Sequence, residues 1–205
     1  MSIPAHPGRA MTRSSTTCAT LAHRLAFARW RAVFAAVSIA GATVAVVIGI
    51  APFPAALTVA VLTPAAMIDA DQRRLPNVWV GAAAVALTVA ASIGSAFGQP
   101  VDLLSTLGGA AAMGTPVLAL HLVSPAAMGF GDVKAAFVLG AALGTIDWRL
   151  GLTALCVASL AGALAGLLTR QRSIAFGPSL VFGAWLVVIT NGHVVDRLFT
   201  GGALQ

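Results

Sequence analysis

The stretch "AVFAAVSIAGATVAVVIGIAPFPAALTVAVLTPAAMI", Ala32 to Ile68, holds no charged residue and ends against an aspartate, Asp69. A basic segment precedes it, with Arg9, Arg13, Arg24, Arg29 and Arg31 and no acid. That order has the outline of a cleaved signal peptide, but the apolar run is too long for one. It is long enough for two membrane spans of about 20 residues each, separated by the turn-forming "APFP" at 51–54. The expectation is an uncleaved membrane anchor.

The rest of the chain follows the same pattern. It has 205 residues, 59% of them hydrophobic and 9% charged, whereas about a quarter of a soluble domain is charged. Mean hydropathy is +0.93. Charges and Pro/Gly clusters divide the sequence into uncharged stretches near 32–50, 54–69, 78–97, 103–123, 132–146, 150–169 and 175–194. They predict an all-α, polytopic transmembrane helix bundle of about seven spans in one domain. The stretch 132–146 is the shortest, about 22 Å as a helix. Either Asp132 lies in the interface or this segment does not fully cross. The Ala and Gly content of the spans fits close helix packing through small residues.

The net charge of +6 and pI near 11.4 do not indicate nucleic acid, because the basic residues are scattered among apolar runs without an aromatic-rich basic face. They set topology instead. With the N-terminus in the cytoplasm, the inside segments hold the five early arginines, Arg73, Arg74, Lys134, Arg170 and Arg172, and only Arg149 and Arg197 lie outside. The same orientation puts Asp69 and Asp132 at the cytoplasmic boundary. Cys18 and Cys156 are far apart and form no CxxC pair, so neither a structural zinc site nor a disulfide framework is indicated. Cys156 is expected to pack as a small apolar residue.

All six acids are aspartates. Asp102, Asp147 and Asp196 fall in outside loops or the tail, as solvated surface charge. Asp69, Asp71 and Asp132 sit at membrane boundaries, where an ionised carboxylate costs about 2.5–3.5 kcal/mol within a span and needs water, a partner or a function. In "MIDADQRRLPN" (67–77) the structural account is a helix end with interfacial charges and a Pro-initiated next helix. In "GFGDVK" (129–134), Gly129 and Gly131 permit unusual backbone angles and close approach just before Asp132. The structural alternative there is an N-cap aspartate. Lys134 follows two positions later, about 200° around a helix, placed either to favour the ionised form of Asp132 or to snorkel to the interface. His121 reads as a polar interface residue rather than a base. Phe176, Gly177 and Pro178 have the composition of a rigid turn before a helix.

Two membrane-boundary carboxylates on one side point to aspartyl protease chemistry. When such groups approach closely, one stays protonated while the other is ionised. The ionised member takes a proton from attacking water, and the protonated one hydrogen-bonds the peptide carbonyl and later protonates the leaving amine. No metal or cofactor is needed.

Three blocks carry a family likeness: "MIDADQRRLPN" (67–77), "MGFGDVKAAFVLGAALG" (128–144) and "IAFGPSLVFGAW" (174–185). In this order they resemble the type IV prepilin peptidase family, the GxGD membrane aspartyl proteases that also include archaeal preflagellin peptidases. The resemblance runs from Leu57 to about Asn191. It implies Asp69 and Asp132 as the catalytic pair, Gly129 and Gly131 as the active-site loop, and Phe176, Gly177 and Pro178 packed near the site. Asp71 and Lys134 stand beside them as possible supporting residues.

It also implies a multi-pass protein of the bacterial inner membrane that removes a short basic leader from a prepilin or pseudopilin at the cytoplasmic face. Many bacterial members carry a cytoplasmic segment with paired cysteines linked to N-methylation. No such segment is found here, so the resemblance supports the peptidase and not the methyltransferase. The expected organisation is a basic cytoplasmic segment over 1–31, an additional span over 32–50, a peptidase core over 54–194 and a tail over 195–205. A noncatalytic carrier or channel that uses Asp69 and Asp132 for protons or cations is the alternative.

Overall fold

A computed structural model describes residues 53–72, 75–98, 101–125, 128–169 and 176–190, with the isolated Ala40. The expected basic segment 1–31, the additional span 32–50, the tail 195–205 and the side chain of Asp71 lie outside the described residues, as do Arg73, Arg74 and Cys18. The described residues form six helices: α1 (Phe53–Gln72), α2 (Asn77–Ala96), α3 (Leu103–Val123), α4 (Phe130–Gly144), α5 (Arg149–Thr169) and α6 (Gly177–Ile189). Each expected span from 54 onward coincides with one of them.

The breaks between helices follow local chemistry. Asp102 caps α3 by accepting from the Leu104 amide at 2.9 Å, and Asp147 accepts from the Arg149 amide at 2.8 Å at the start of α5. These two acids are therefore helix-starting groups and not merely solvated charges. Pro76 holds the N-cap of α2, and α2 is followed by Gly98 in the left-handed region at φ 79°. The last helix is described to Ile189, and residues 191–194 of the expected span lie outside the described residues. The Thr190 hydroxyl donates to the Leu186 carbonyl at 2.8 Å.

α2, α3 and α5 are long and apolar enough to cross a membrane, and α1 and α6 contain shorter apolar runs. The protein is an integral membrane helix bundle. α4 has only 15 residues but packs against all five other helices. Its composition explains that place: Val133, Ala135, Ala136, Leu139, Gly140, Ala142, Leu143 and Gly144 are buried over roughly half of its circumference, a wide apolar face that must be covered by neighbouring helices.

Small residues let its neighbours close in. Gly109 of α3 faces Gly140 and Gly144 of α4. A Cβ at Gly144 would lie 2.6 Å from the Ser105 carbonyl oxygen, and one at Gly151 of α5 would lie 2.7 Å from the Gly109 carbonyl oxygen. The Ser105 hydroxyl donates to the Gly144 carbonyl at 2.8 Å across this seam. Close backbone contact at these glycines, together with buried Met113, Leu139 and Leu143, holds α3, α4 and α5 together. On the other side, the Trp185 indole N–H of α6 donates to the Thr63 hydroxyl of α1 at 2.9 Å.

Cys156 is exposed on α5 and does not pack in the interior. As a soft, weakly polar side chain it is equally at home against lipid.

Candidate active site

Three chain breaks meet at one end of the bundle: the one between α1 and α2, the one into α4 and the one into α6. Asp69 lies near the end of α1 and is only 4% exposed; Asp132 lies in the first turn of α4 and is 7% exposed. Both line one open cleft of about 280 Å³, together with Leu75, Asn77, Gly129, Phe130, Gly131 and Lys134. They come from segments separated by two whole helices, so the tertiary fold alone brings them together.

The Asp69 carboxylate is positioned by backbone. The Gly177 amide, first in α6, donates to Asp69 Oδ2 at 3.1 Å. That amide belongs to a helical first turn, which has no carbonyl of its own to bond, and the helix dipole adds to its attraction for an anion. Pro178 follows as the second helical residue, its φ already suited to a first turn. Phe176 precedes as the N-cap and packs against the core. The sequence suggests a rigid turn without chemistry here, and the geometry adds a donor aimed at Asp69.

Asp132 is not the N-cap. Gly129 takes that position at φ −70°, ψ 144°, and the helix begins at Phe130. The Asp132 amide donates to the Gly129 carbonyl at 3.1 Å, while Asp132 Oδ1 is buried without a hydrogen-bond partner among the described residues. A buried carboxylate oxygen left without a protein partner is costly unless something in the cleft bonds it.

The two loop glycines differ. Neither adopts a positive φ; among the described glycines only Gly98 does. The unusual backbone angles expected at Gly129 and Gly131 are not used, because the first turn of α4 already delivers Asp132 to the cleft. Close approach is used, but at one position only. A Cβ at Gly131 would sit 2.9 Å from Leu75 Cβ and 3.2 Å from the Leu75 carbonyl oxygen, whereas one at Gly129 would meet Asp132 Oδ2 at 3.7 Å and the Gly131 nitrogen at 4.0 Å, both ordinary contacts.

Lys134 reaches across from α4 to α2, donating to Asn77 Oδ1 at 3.2 Å with its ammonium 5.0 Å from the Phe130 ring centre. The ammonium is engaged by Asn77 and not by Asp132. His121 closes the loop from the other side: its Nδ1 lies 2.8 Å from the Met128 carbonyl oxygen, and its ring lies 5.5 Å from that of Phe130. It is a loop fastener, in keeping with a structural role.

Leu75, Asn77 and Phe130 were not singled out from the sequence. Leu75 had the clearest signal, as an apolar side chain in the charged loop "QRRLPN". It wedges under both Gly131 and Gly177, whose added Cβ would come within 2.8 Å of Leu75 Cδ1. Among the described residues no group of three His, Cys, Asp or Glu side chains converges; the cleft offers a pair of carboxylates.

No curated protein and no solved structure matches the chain. The family model of the type IV leader peptidases matches residues 56–167, a span that includes Asp69, Asp132 and the two helices between them and stops before Gly177. A match over more than half of the sequence, on the residues that build this cleft, makes the chain a member of the type IV leader peptidase family.

Proposed function

We propose that this protein is an aspartic endopeptidase of the bacterial inner membrane. In this reading it removes the short basic leader of a prepilin or pseudopilin at the cytoplasmic face, with Asp69 and Asp132 as the catalytic pair. One observation carries the reading: two buried carboxylates from different helices open into a single cleft, one held by a backbone amide and the other with an oxygen unpartnered among the described residues.

Two carboxylates in one desolvated cleft oppose each other's ionisation, so the pair retains one proton. The ionised member takes a proton from water as the water oxygen bonds to the scissile carbonyl carbon. The protonated member hydrogen-bonds the carbonyl oxygen. When the tetrahedral intermediate collapses, the C–N bond breaks and a carboxyl proton passes to the leaving nitrogen. The peptidase core spans 54–194 and the basic segment 1–31 faces the cytoplasm, as the distribution of Arg and Lys favours. With no paired-cysteine segment in this sequence, the activity proposed is the peptidase alone.

The test is coexpression with a candidate prepilin encoded in the same genome, scored by the size shift of the pilin. Wild type shortens the pilin. Asp132→Asn does not, while inserting at normal abundance, because removal of a charge eases burial. Cleavage by Asp132→Asn at the wild-type rate refutes the dyad, and no shortened product with any encoded candidate favours the carrier reading.

A further inference from the structure

The loop between α1 and α2 carries one large apolar side chain, Leu75, between Arg74 and Pro76. An apolar side chain in a charged loop gains by being packed, and Leu75 is half-buried against the core. The proline after it favours extended backbone at Leu75. Pro76 is itself fixed as the N-cap of α2, its carbonyl accepting from the Trp79 amide at 3.1 Å. One residue further on, Asn77 accepts from Lys134 of α4 at 3.2 Å. The segment 75–77 is thus tied to the start of α4 as well as to α2.

Leu75 touches both halves of the site. A Cβ at Gly131, the residue immediately before Asp132, would lie 3.2 Å from the Leu75 carbonyl oxygen and 3.7 Å from its Cα, so the Leu75 backbone passes against the first turn of α4. At its other end, Leu75 Cδ1 lies 2.8 Å from where a Cβ of Gly177 would be, and Asp69 Oδ2 lies 2.6 Å from that same point. Gly177 is the residue whose amide holds Asp69 at 3.1 Å. One leucine therefore reaches from the backbone that carries Asp132 to the backbone that holds Asp69, and it lines the cleft that both carboxylates share. Its side chain has no group that could exchange a proton. What it contributes is shape, and close-packed contacts transmit a displacement at one end to the other.

We infer that Leu75 is a positioning residue: wedged between the starts of α4 and α6, it sets the placement of the Asp69 carboxylate relative to Asp132. The inference rests on the peptidase reading and adds to it a residue with no chemistry of its own. With the tip of Leu75 gone, Gly177 loses its support on that side. The start of α6 then moves into the space, and Asp69 Oδ2 follows its hydrogen bond. A gap filler with no bearing on the site would affect only how well the bundle holds together.

The experiment compares Leu75→Val and Leu75→Met by the initial rate of leader removal from a prepilin in membranes, per inserted protein. Valine keeps the backbone and Cβ beside Gly131 but has no δ carbon to reach Gly177; methionine keeps the reach at similar volume. Leu75→Val is expected to lose about tenfold in kcat with KM within about twofold of wild type, the pattern of a displaced reacting group. Leu75→Met, which restores the reach, is expected to lose less than about threefold. Gly177→Ala is expected to cost less in the Leu75→Val background than in wild type, because the added carbon no longer meets Cδ1. Wild-type kcat in Leu75→Val, whether or not less protein is inserted, overturns the proposal, as does a raised KM at unchanged kcat, which would make Leu75 a substrate contact. An equal loss in Leu75→Met and Leu75→Val, or the same cost of Gly177→Ala in both backgrounds, also overturns it. A wild-type protein that cuts no encoded candidate refutes the peptidase reading and this role with it; one that cuts while Leu75→Val cuts equally well refutes the role alone.

Discussion

Replacing Gly177 by alanine adds one carbon at the contact between α6 and Asp69. That carbon would sit 2.6 Å from Asp69 Oδ2 and 2.8 Å from Leu75 Cδ1, each roughly 1 Å inside ordinary van der Waals contact. Leu75 is wedged beneath Gly131 as well, so the easier relief is for the carboxylate to swing away. The 3.1 Å hydrogen bond from the Gly177 amide is then lost or stretched. A hydrogen bond to a charged group contributes about 1.5–3 kcal/mol, and a displacement near 1 Å of a reacting group alone can cost about 10²-fold. Cleavage by Gly177→Ala is thus expected to fall about 10- to 100-fold in kcat, with KM little changed, since the substitution displaces a reacting carboxylate. The assay is the initial rate of leader removal in membranes, normalised to inserted protein. Activity within twofold of wild type, in a protein whose Asp69→Asn variant is inactive, refutes the idea that the α6 amide positions Asp69.

Gly131→Val should abolish most activity because its branched side chain meets the Leu75 backbone, whereas Gly129→Ala should stay near wild type, its new carbon meeting only an ordinary contact; equal rates for the two in the cleavage assay contradict the close-approach account. Asp69→Asn should be inactive and Asp71→Asn should retain most activity in the pilin size-shift assay, and the reverse result reassigns the first carboxylate while keeping the protease class. Gly140→Leu should lower thermal stability in detergent by more than the about 1–3 kcal/mol of ordinary overpacking, because its Cβ would lie 2.8 Å from Met113 Cβ and 3.0 Å from the Gly109 carbonyl carbon. A Gly140→Leu protein that melts with wild type would show the α3–α4 seam to be loose.

The one-dimensional pattern of charge and hydropathy was enough to define a helical membrane bundle. An apolar run interrupted by Asp, Arg, Pro or Gly has few alternatives in lipid, where backbone groups must bond within their own segment. The same pattern placed Asp69 and Asp132 at ends of apolar stretches, because a carboxylate is too costly to leave in mid-span without a reason. That reading depends only on what each residue is and how far it stands from the next charge.

Tertiary structure decided whatever depends on which helix touches which. No spacing in the sequence reveals that α4, the shortest candidate span, packs against all the others, because that follows from the small residues of three helices fitting one another. The Gly177 amide reaches Asp69 across 108 positions of sequence, and Lys134 crosses to Asn77 over 57. Gly129 and Gly131 look equivalent on the page and differ only because Leu75 backs one of them. Composition records the preference of each residue for lipid or water. The meeting of two carboxylates in one cleft depends on helix orientation, which the packing of α1, α4 and α6 on one another fixes and which charge and hydropathy do not encode.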